Sequence, residues 1–375
     1  MPSRATVFLV PLVFLLVGMV LRYAAFAAIS DDGSFAAYSA ALCDWDCVWY
    51  REIAELGYDG YPTDRHDNVG AWGFFPLYPM LIAAIQAVVP LPAPQLGMLV
   101  SPLLSFGACL ASWRLLGRDL PAYALYCAFM LAGPFSVYFT MLMTESLFVL
   151  LACLVLLALQ QGRVVAAGAL LALLSATRIV GVFLFVALAW RIWTDHREAG
   201  GTVATLPRHI LSRPDLLLAI FLAPAGLFTY MLYLYWLMGD GLAFSHVQRA
   251  FGRVFDLPWL FLWDGLTTTH DKGLWWPSPR QFQATAAIVA LFLAAWVTVR
   301  RDFAAGLFCL IALVLPLTSG IASIVRYSAA LAPLQHEASR LLSRNRILMA
   351  ATLAAFMALC FLLTQQWIGD HLALV

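Results

Sequence analysis

The chain alternates between long apolar runs and short polar connections. A bilayer core of about 30 Å needs about 20 apolar residues in a helix, because only helices and closed barrels satisfy every backbone group in lipid. A barrel would show short alternating strands. The long unbroken runs instead predict an all-α polytopic membrane protein, a single domain over 1–375 with about 11 transmembrane helices (10–12). The predicted spans are 6–29, 96–116, 121–140, 145–161, 164–178, 179–193, 214–238, 282–299, 303–318, 328–342 and 347–366.

Composition narrows the class of protein further. Hydrophobic residues make up 63% of the chain and charged residues 11%, and the mean hydropathy is +0.84. These values exclude a soluble enzyme and a disordered protein. The net charge of +1, without a basic patch, argues against nucleic acid as a partner. The first span begins after Arg4 and has a cleavage-like Ala25-Phe26-Ala27, but it is longer than a usual signal peptide core, so we predict a retained helix.

Arginine positions predict the orientation in the plasma (inner) membrane, since cytoplasmic loops carry an excess of basic residues. Arginines recur at alternate loops, which we assign to the cytoplasm. The connections 30–95 and 239–281 then become the two long extracytoplasmic loops. The apolar segment 75–89 is flanked by prolines, and counting it as a crossing would invert every later loop. We therefore predict a juxtamembrane helix there, with twelve spans as the alternative.

Acidic residues are concentrated in the first external loop. Nine of the 21 acidic residues fall within 30–75. A solvated surface would explain this pattern, but loops held by a rigid scaffold also carry active sites. Asp44 and Asp46 alternate with large aromatic residues, Trp45, Trp49 and Tyr50, which favour the membrane interface. A carboxylate there lies between water and a low-dielectric medium, where its pKa can be tuned for general-base catalysis. The pattern favours group transfer from a lipid-linked donor.

Three further polar residues fall on the same predicted side. Glu145, Arg178 and Arg326 each lie at a predicted external helix end, far apart in sequence. Polar residues in apolar surroundings are candidates for function, and the planar guanidinium group recognises phosphate. The alternative is structural: an arginine extends to lipid headgroups, and a glutamate at a helix start complements the helix dipole. Their convergence with the acidic loop favours a site.

Other candidates carry weaker signals. His246 and Gln248 lie in the loop 239–281 and would suit hydrogen bonding to a sugar, and His66 and Asp67 have the same status. Asp44-x-Asp46 resembles a metal-binding motif, but this spacing is common by chance. We therefore assign no metal ligands, and a divalent cation stays an open alternative as cofactor. Trp259, Trp263, Trp275 and Trp276 indicate an interfacial aromatic belt.

The cysteines divide into two groups. Five lie within apolar spans and are expected to be small buried side chains. Cys43 and Cys47 flank the acidic pair in an external compartment, but a four-residue spacing within a helix fits a disulfide poorly, so free thiols are favoured. The sequence has no glycine-rich phosphate loop, and a cytosolic nucleotide-sugar site is therefore unsupported.

Several of these segments resemble the PIG-V-like mannosyltransferases, which include the second mannosyltransferase of GPI-anchor assembly and bacterial relatives. The resemblance extends over roughly 1–330 and departs at Ile179, where the family has proline. The similar blocks are Trp45-Asp46-x-x-Trp49-Tyr50-x-x-Ile53-Ala54-x-x-Gly57-Tyr58, Phe74-Phe75-Pro76-Leu77-Tyr78-Pro79, Thr144-Glu145-Ser146-Leu147-Phe148, Thr177-Arg178-x-x-Gly181 and Arg326-Tyr327.

The resemblance implies a GT-C glycosyltransferase fold and a single inverting displacement on the extracytoplasmic face. The donor would be a polyprenyl-phosphate sugar, with mannose as the family's sugar, and the acceptor is unknown. Asp46 would be the general base, and Arg326 and Arg178 would stabilise the leaving phosphate. Glu145 and Asp44 would orient substrate or tune the base. Trp45, Trp49, Tyr50, Tyr78 and Tyr327 would contribute to substrate binding, with membrane lipids around the site.

Two other functions remain as alternatives. A transporter or flippase of lipid-linked sugars would place charged residues along a path through the helices, whereas here the polar residues gather at one end. A non-catalytic membrane subunit is the other alternative, and the retained Asp46 argues against it.

Overall fold

The computed structural model describes residues 3–59, 69–268 and 278–369, and within these ranges it contains helices and no strand. The predictions for His66, Asp67, Trp275 and Trp276 lie outside the described residues. In chain order the helices are α1 Arg4–Ala27, α2 Phe35–Leu42, α3 Asp46–Leu56, α4 Leu77–Gln86, α5 Ala93–Leu115, α6 Leu120–Ala132, α7 Glu145–Gln160, α8 Val164–Ser175, α9 Phe185–Glu198, α10 Leu206–Leu211, α11 Pro214–Leu222, α12 Ala225–Met238, α13 Ala243–His246, α14 Pro258–Thr267, α15 Pro279–Arg300, α16 Phe303–Leu317, α17 Ile324–Ala329, α18 Ala332–Leu342 and α19 Arg346–Ile368.

Long apolar helices identify a multi-pass membrane protein. Within the described residues, five helices are long and apolar enough to cross a bilayer, and α11 with α12 would form a sixth span bent by 45°. α4, α6, α7, α8 and α16 are apolar but shorter. The 10 residues of α4 rise about 15 Å, which is too short for a crossing, in keeping with the predicted juxtamembrane helix.

The predicted span 121–140 is not a continuous helix. α6 ends at Ala132, and residues 133–144 are largely buried without regular helical structure. Such backbone is tolerated at membrane depth only where protein groups satisfy its hydrogen bonds. Ser101 and Ser105, one turn apart on α5, donate their hydroxyls to carbonyls of this segment at 2.8 and 3.2 Å. Two serines on one face of α5 therefore support the break.

A buried arginine stabilises the same break from the other side. Arg22 of α1 is 1% exposed, and its Nη1 donates to the Leu131 carbonyl and to the Ser136 hydroxyl, each at 2.8 Å. The last carbonyls of a helix lack intrahelical partners and carry partial negative charge. Arg22 therefore caps the end of α6, a role that the hydropathy pattern does not indicate.

Two more helices are interrupted near one another. α8 ends at Ser175, short of the predicted 178, and α11 and α12 meet at a bend that divides the predicted span 214–238. The Ser175 hydroxyl donates to the Ala172 carbonyl at 2.9 Å, accepts the Leu227 N–H at 3.2 Å and lies 3.4 Å from the Ala223 carbonyl. One serine thus joins two helix breaks.

The predicted span 328–342 is wrong as a lipid-facing helix. The chain there forms α17 and the 11-residue α18, which is not among the apolar helices. α18 buries His336, Glu337 and Ser339 inside the protein. Hydropathy alone failed at this point because protein neighbours, rather than lipid, surround these polar side chains.

Charged residues separate to two ends of the molecule. Asp46, Glu145, Arg178 and Arg326 meet at one end. At the other end of α7, a cavity brings together Arg191, Arg301 and Arg340 beside Leu159 and Gln160.

Candidate functional site

Four helical elements present the charged residues of the candidate site. Asp46 is the first residue of α3, and Glu145 is the first residue of α7. The partial positive charge of a helix N-terminus stabilises a carboxylate at each position. Arg178 directly precedes a 3₁₀ helix at Ile179–Leu184 with extended backbone, and Arg326 lies in α17. We call these four residues the arginine–carboxylate cluster.

The cluster is a continuous chain of ion pairs. Asp46 Oδ2 lies 2.6 Å from Arg326 Nη2, and Arg326 Nε lies 3.3 Å from Glu145 Oε1. The same Glu145 oxygen accepts a hydrogen bond from Arg178 Nη1 at 2.7 Å. Glu145 therefore bridges two guanidinium groups, and Asp46 contacts one of them.

Exposure differs sharply within the cluster. The Glu145 side chain is 1% exposed and that of Arg326 is 6% exposed. Arg178 is 12% exposed, whereas Asp46 is 29% exposed. Asp46 is thus the charged group of the cluster most open to an incoming molecule. Glu145 is buried behind the arginines, where a charge requires partners.

Tyr327 contacts both arginines of the cluster. The guanidinium carbons of Arg178 and Arg326 lie 4.6 and 5.4 Å from the centre of its ring. Burial would raise the pKa of the Tyr327 hydroxyl, but the charges of Arg253, Arg326 and Arg178 outweigh it and lower this pKa to about 8. The charges of three arginines thus act on the Tyr327 hydroxyl, beside the two carboxylates of the cluster.

Two buried tyrosines pack behind the cluster. The Tyr50 hydroxyl lies 3.4 Å from the Thr144 hydroxyl, next to Glu145 in sequence. The Tyr78 ring meets Tyr50 edge-on with centroids 6.4 Å apart, and its hydroxyl bonds to Ser101. These contacts link the cluster to the serines that support the broken segment 133–144.

An aromatic layer lies beside α3. Trp49 stacks on Phe74 at 5.5 Å, and Phe251 meets both rings edge-on at 5.6 and 6.1 Å. Gln248 donates to the Phe244 carbonyl at 3.2 Å, and a Cβ at Gly73 would lie 3.0 Å from its Nε2. Gln248 therefore borders this aromatic layer rather than the cluster.

A disulfide closes the turn that carries Asp46, and it corrects the expectation of free thiols. Cys43 and Cys47 are bonded, with their Cα atoms 5.1 Å apart. The bond is feasible because Cys43 lies just beyond α2 and outside any helix, while Cys47 is the second residue of α3. Trp45 between them has φ of +52°, a strained conformation for a residue with a side chain. The disulfide constrains this strained turn.

Some predicted site residues lie apart from the cluster. Within the described residues, Asp44 makes no ion pair with the arginines; its Oδ1 accepts the Trp45 N–H at 2.8 Å. Trp45 is 41% exposed. His246 is also exposed, and its Nδ1 lies 2.7 Å from Asp240 Oδ2, which lowers the pKa of that carboxyl. Across the described ranges, no three His, Cys, Asp or Glu side chains are close enough to bind a metal ion together.

Arg253 and Phe251 contribute to the site but were not singled out from the sequence. The sequence did offer one indication for Arg253. Basic residues concentrate in cytoplasmic loops, so an arginine on a predicted external loop is unusual and is a candidate for function. Phe251 had no such signal, since aromatic residues are common at membrane interfaces.

Comparison with protein-family models and with curated proteins finds no match for this sequence.

Proposed function

We propose that the chain is an inverting membrane glycosyltransferase of the GT-C type. It would move a sugar, mannose by resemblance to the PIG-V-like enzymes, from a polyprenyl-phosphate donor to a hydroxyl of an extracytoplasmic acceptor. The observation that carries the proposal is the pairing of a partly exposed carboxylate, Asp46, with a buried guanidinium group, Arg326, at 2.6 Å. Glycosyl transfer needs a base and a phosphate-binding cation side by side.

In the proposed step, Asp46 accepts the proton of the acceptor hydroxyl as its oxygen attacks the sugar's anomeric carbon. The bond from that carbon to the phosphate oxygen breaks, and the electron pair leaves with the lipid phosphate. Arg326 and Arg178 stabilise the developing charge. Because Arg326 Nη2 holds Asp46 in the resting cluster, donor phosphate would replace that carboxylate on Arg326 and free Asp46 to act as base.

Glu145 would be a positioning residue in this scheme. It holds both arginines through Oε1, while its Oε2 has no hydrogen-bond partner among the described residues, although it is buried. A buried carboxylate oxygen without a partner requires an explanation. An ordered buried water that donates to Oε2 would supply one.

A transporter of lipid-linked sugars is the second candidate. Broken helices that meet inside a membrane protein are typical of transporters, and α8 and the bend between α11 and α12 meet at Ser175. The charged side chains favour the enzyme, because they form a closed cluster at one end. A transporter would move the donor unchanged, whereas a transferase releases polyprenyl phosphate.

The test is sugar transfer by the Asp46→Asn variant. Membranes holding this variant should incorporate no labelled mannose from polyprenyl-phosphate mannose, because an amide cannot accept the proton. Asp31→Asn is the matched control, since Asp31 is an exposed aspartate of the same loop. Transfer at the wild-type rate by Asp46→Asn, at equal protein abundance, would exclude Asp46 as the base.

A further inference from the structure

A second polar site lies at the end of the molecule opposite the arginine–carboxylate cluster. It is a cavity of about 690 Å³, within the usual size range of small-molecule sites. Part of its wall is apolar, and the rest is lined by charged and polar residues. The apolar part is formed by Leu115, Leu156, Leu159, Ala187, Val297 and Phe303.

Glu337 organises the charged side of the cavity. Its side chain is 1% exposed, and its Oε1 accepts hydrogen bonds from Arg301 Nε at 3.0 Å and from Trp296 Nε1 at 3.1 Å. Arg340 Nη1 lies 3.6 Å from Oε2, and Arg340 Nη2 donates to the Leu115 carbonyl at 2.7 Å. Buried contacts thus hold two guanidinium groups in fixed positions.

Arginines are the most numerous charged residues of the lining. Arg191, Arg301 and Arg340 line the cavity together with Asp302 and Glu337, and Asp195, which pairs with Arg191 at 2.9 Å, lies outside the lining. Asp302 is already engaged, because its Oδ1 accepts the Ala305 N–H at the start of α16 at 3.0 Å. The Arg301 and Arg340 side chains line the cavity and remain 38% and 30% exposed.

An anion with an apolar part matches both walls. Guanidinium groups bind phosphate oxygens in pairs, and basic pockets between membrane helices bind phospholipid headgroups. A free cation is disfavoured by the three arginines. We propose that this cavity binds a phosphate ester, with its phosphate between Arg191, Arg301 and Arg340 and its apolar part against the leucine-rich wall.

Binding to the purified full-length protein in a neutral detergent tests the proposal. The probes are dihexanoyl phosphatidylglycerol, dihexanoyl phosphatidylcholine and inorganic phosphate, each titrated by calorimetry. We expect phosphatidylglycerol to bind, and Arg191→Gln to weaken its binding about tenfold, the equivalent of one charged hydrogen bond. Inorganic phosphate should bind more weakly than phosphatidylglycerol, because it has no apolar part to contact the leucine-rich wall; binding of inorganic phosphate alone would contradict the ester.

The variants are chosen to separate binding from folding. Arg191 pairs with the exposed Asp195, so its replacement leaves Glu337 intact. Arg301→Gln combined with Glu337→Gln removes both members of a buried pair and should also weaken binding. Arg163→Gln, an exposed arginine of the same end, is the control and should bind as the wild type does.

Three results would overturn the proposal. The first is no binding of phosphatidylglycerol to the wild type, with or without binding of inorganic phosphate. The second is binding that Arg191→Gln and the double variant leave unchanged. The third is equal affinity for phosphatidylcholine, which carries no net charge and would show that the arginines do not select the ligand.

Discussion

Glu145 should be the energetic centre of the arginine–carboxylate cluster, and a double-mutant cycle with Arg178 measures this. Glu145→Gln leaves two buried guanidinium groups to share Asp46, and removing one partner of a buried ion pair costs about 3–5 kcal/mol. Arg178→Gln alone leaves Glu145 paired with Arg326 at 3.3 Å, and should cost about 1.5–3 kcal/mol, the value of a charged hydrogen bond.

The double variant should be no less stable than Glu145→Gln alone. It retains Asp46 and Arg326, one charge of each sign, 2.6 Å apart. The two changes should therefore be non-additive by about 1.5–3 kcal/mol. Reversible unfolding in mixed micelles of a neutral detergent and dodecyl sulfate gives the four free energies of unfolding.

Arg213 and Asp215 form the matched control pair. They lie 2.6 Å apart, but their side chains are 52% and 36% exposed. Water screens such a pair, so the same cycle should find no measurable coupling. Strictly additive losses at Glu145 and Arg178 would refute the view that burial makes the cluster a single unit.

Three further results are expected. Reduction with dithiothreitol should lower the free energy of unfolding of the wild type by about 2 kcal/mol. The same treatment should leave a variant with both Cys43 and Cys47 replaced by serine unchanged, and an equal loss in both proteins would contradict the cross-link. Arg22→Leu should cost about 1.5–3 kcal/mol in the same micelles, because the end of α6 loses its charged donor; an unchanged free energy of unfolding would refute that role. The Tyr327 hydroxyl should ionise near pH 8, measured as the absorbance difference between the wild type and Tyr327→Phe. The free energy of unfolding should therefore rise between about pH 8 and the ordinary tyrosine pKa of about 10. Arg253→Gln should raise the midpoint of this titration, and an unchanged midpoint would exclude Arg253 as a cause of the low pKa.

Sequence reasoning identified the members of the cluster because charged residues are scarce in apolar surroundings. Asp46, Glu145, Arg178 and Arg326 lie far apart in the chain, and the arginine alternation alone placed them on one side. Their pairing could not be predicted, since hydropathy gives the end of the molecule at which a residue lies but not its neighbours. Asp44 shows the difference. It lies in the same acidic, aromatic-rich segment as Asp46, but among the residues that the structure describes its side chain accepts only the N–H of the neighbouring Trp45.

Helix breaks were missed for a related reason. Residues 133–144 carry no charge and are largely buried in protein, and the Gly133-Pro134 pair that opens them is a sequence signal for the end of α6. The other available signals were Ser101 and Ser105 on one face of α5, and Arg22 within an apolar run. The disulfide was missed because Cys43 and Cys47 were assumed to share a helix, whereas α3 begins only at Asp46.

The central claim is that the protein breaks the sugar–phosphate bond of a polyprenyl-phosphate donor. The most direct measurement is the fate of polyprenyl-phosphate mannose in liposomes that contain the purified protein and a lipid extract as the source of acceptor. Our account predicts release of polyprenyl phosphate with transfer of mannose, and loss of both in Asp46→Asn. Movement of the intact donor across the bilayer, without release of polyprenyl phosphate, would contradict it and identify a transporter.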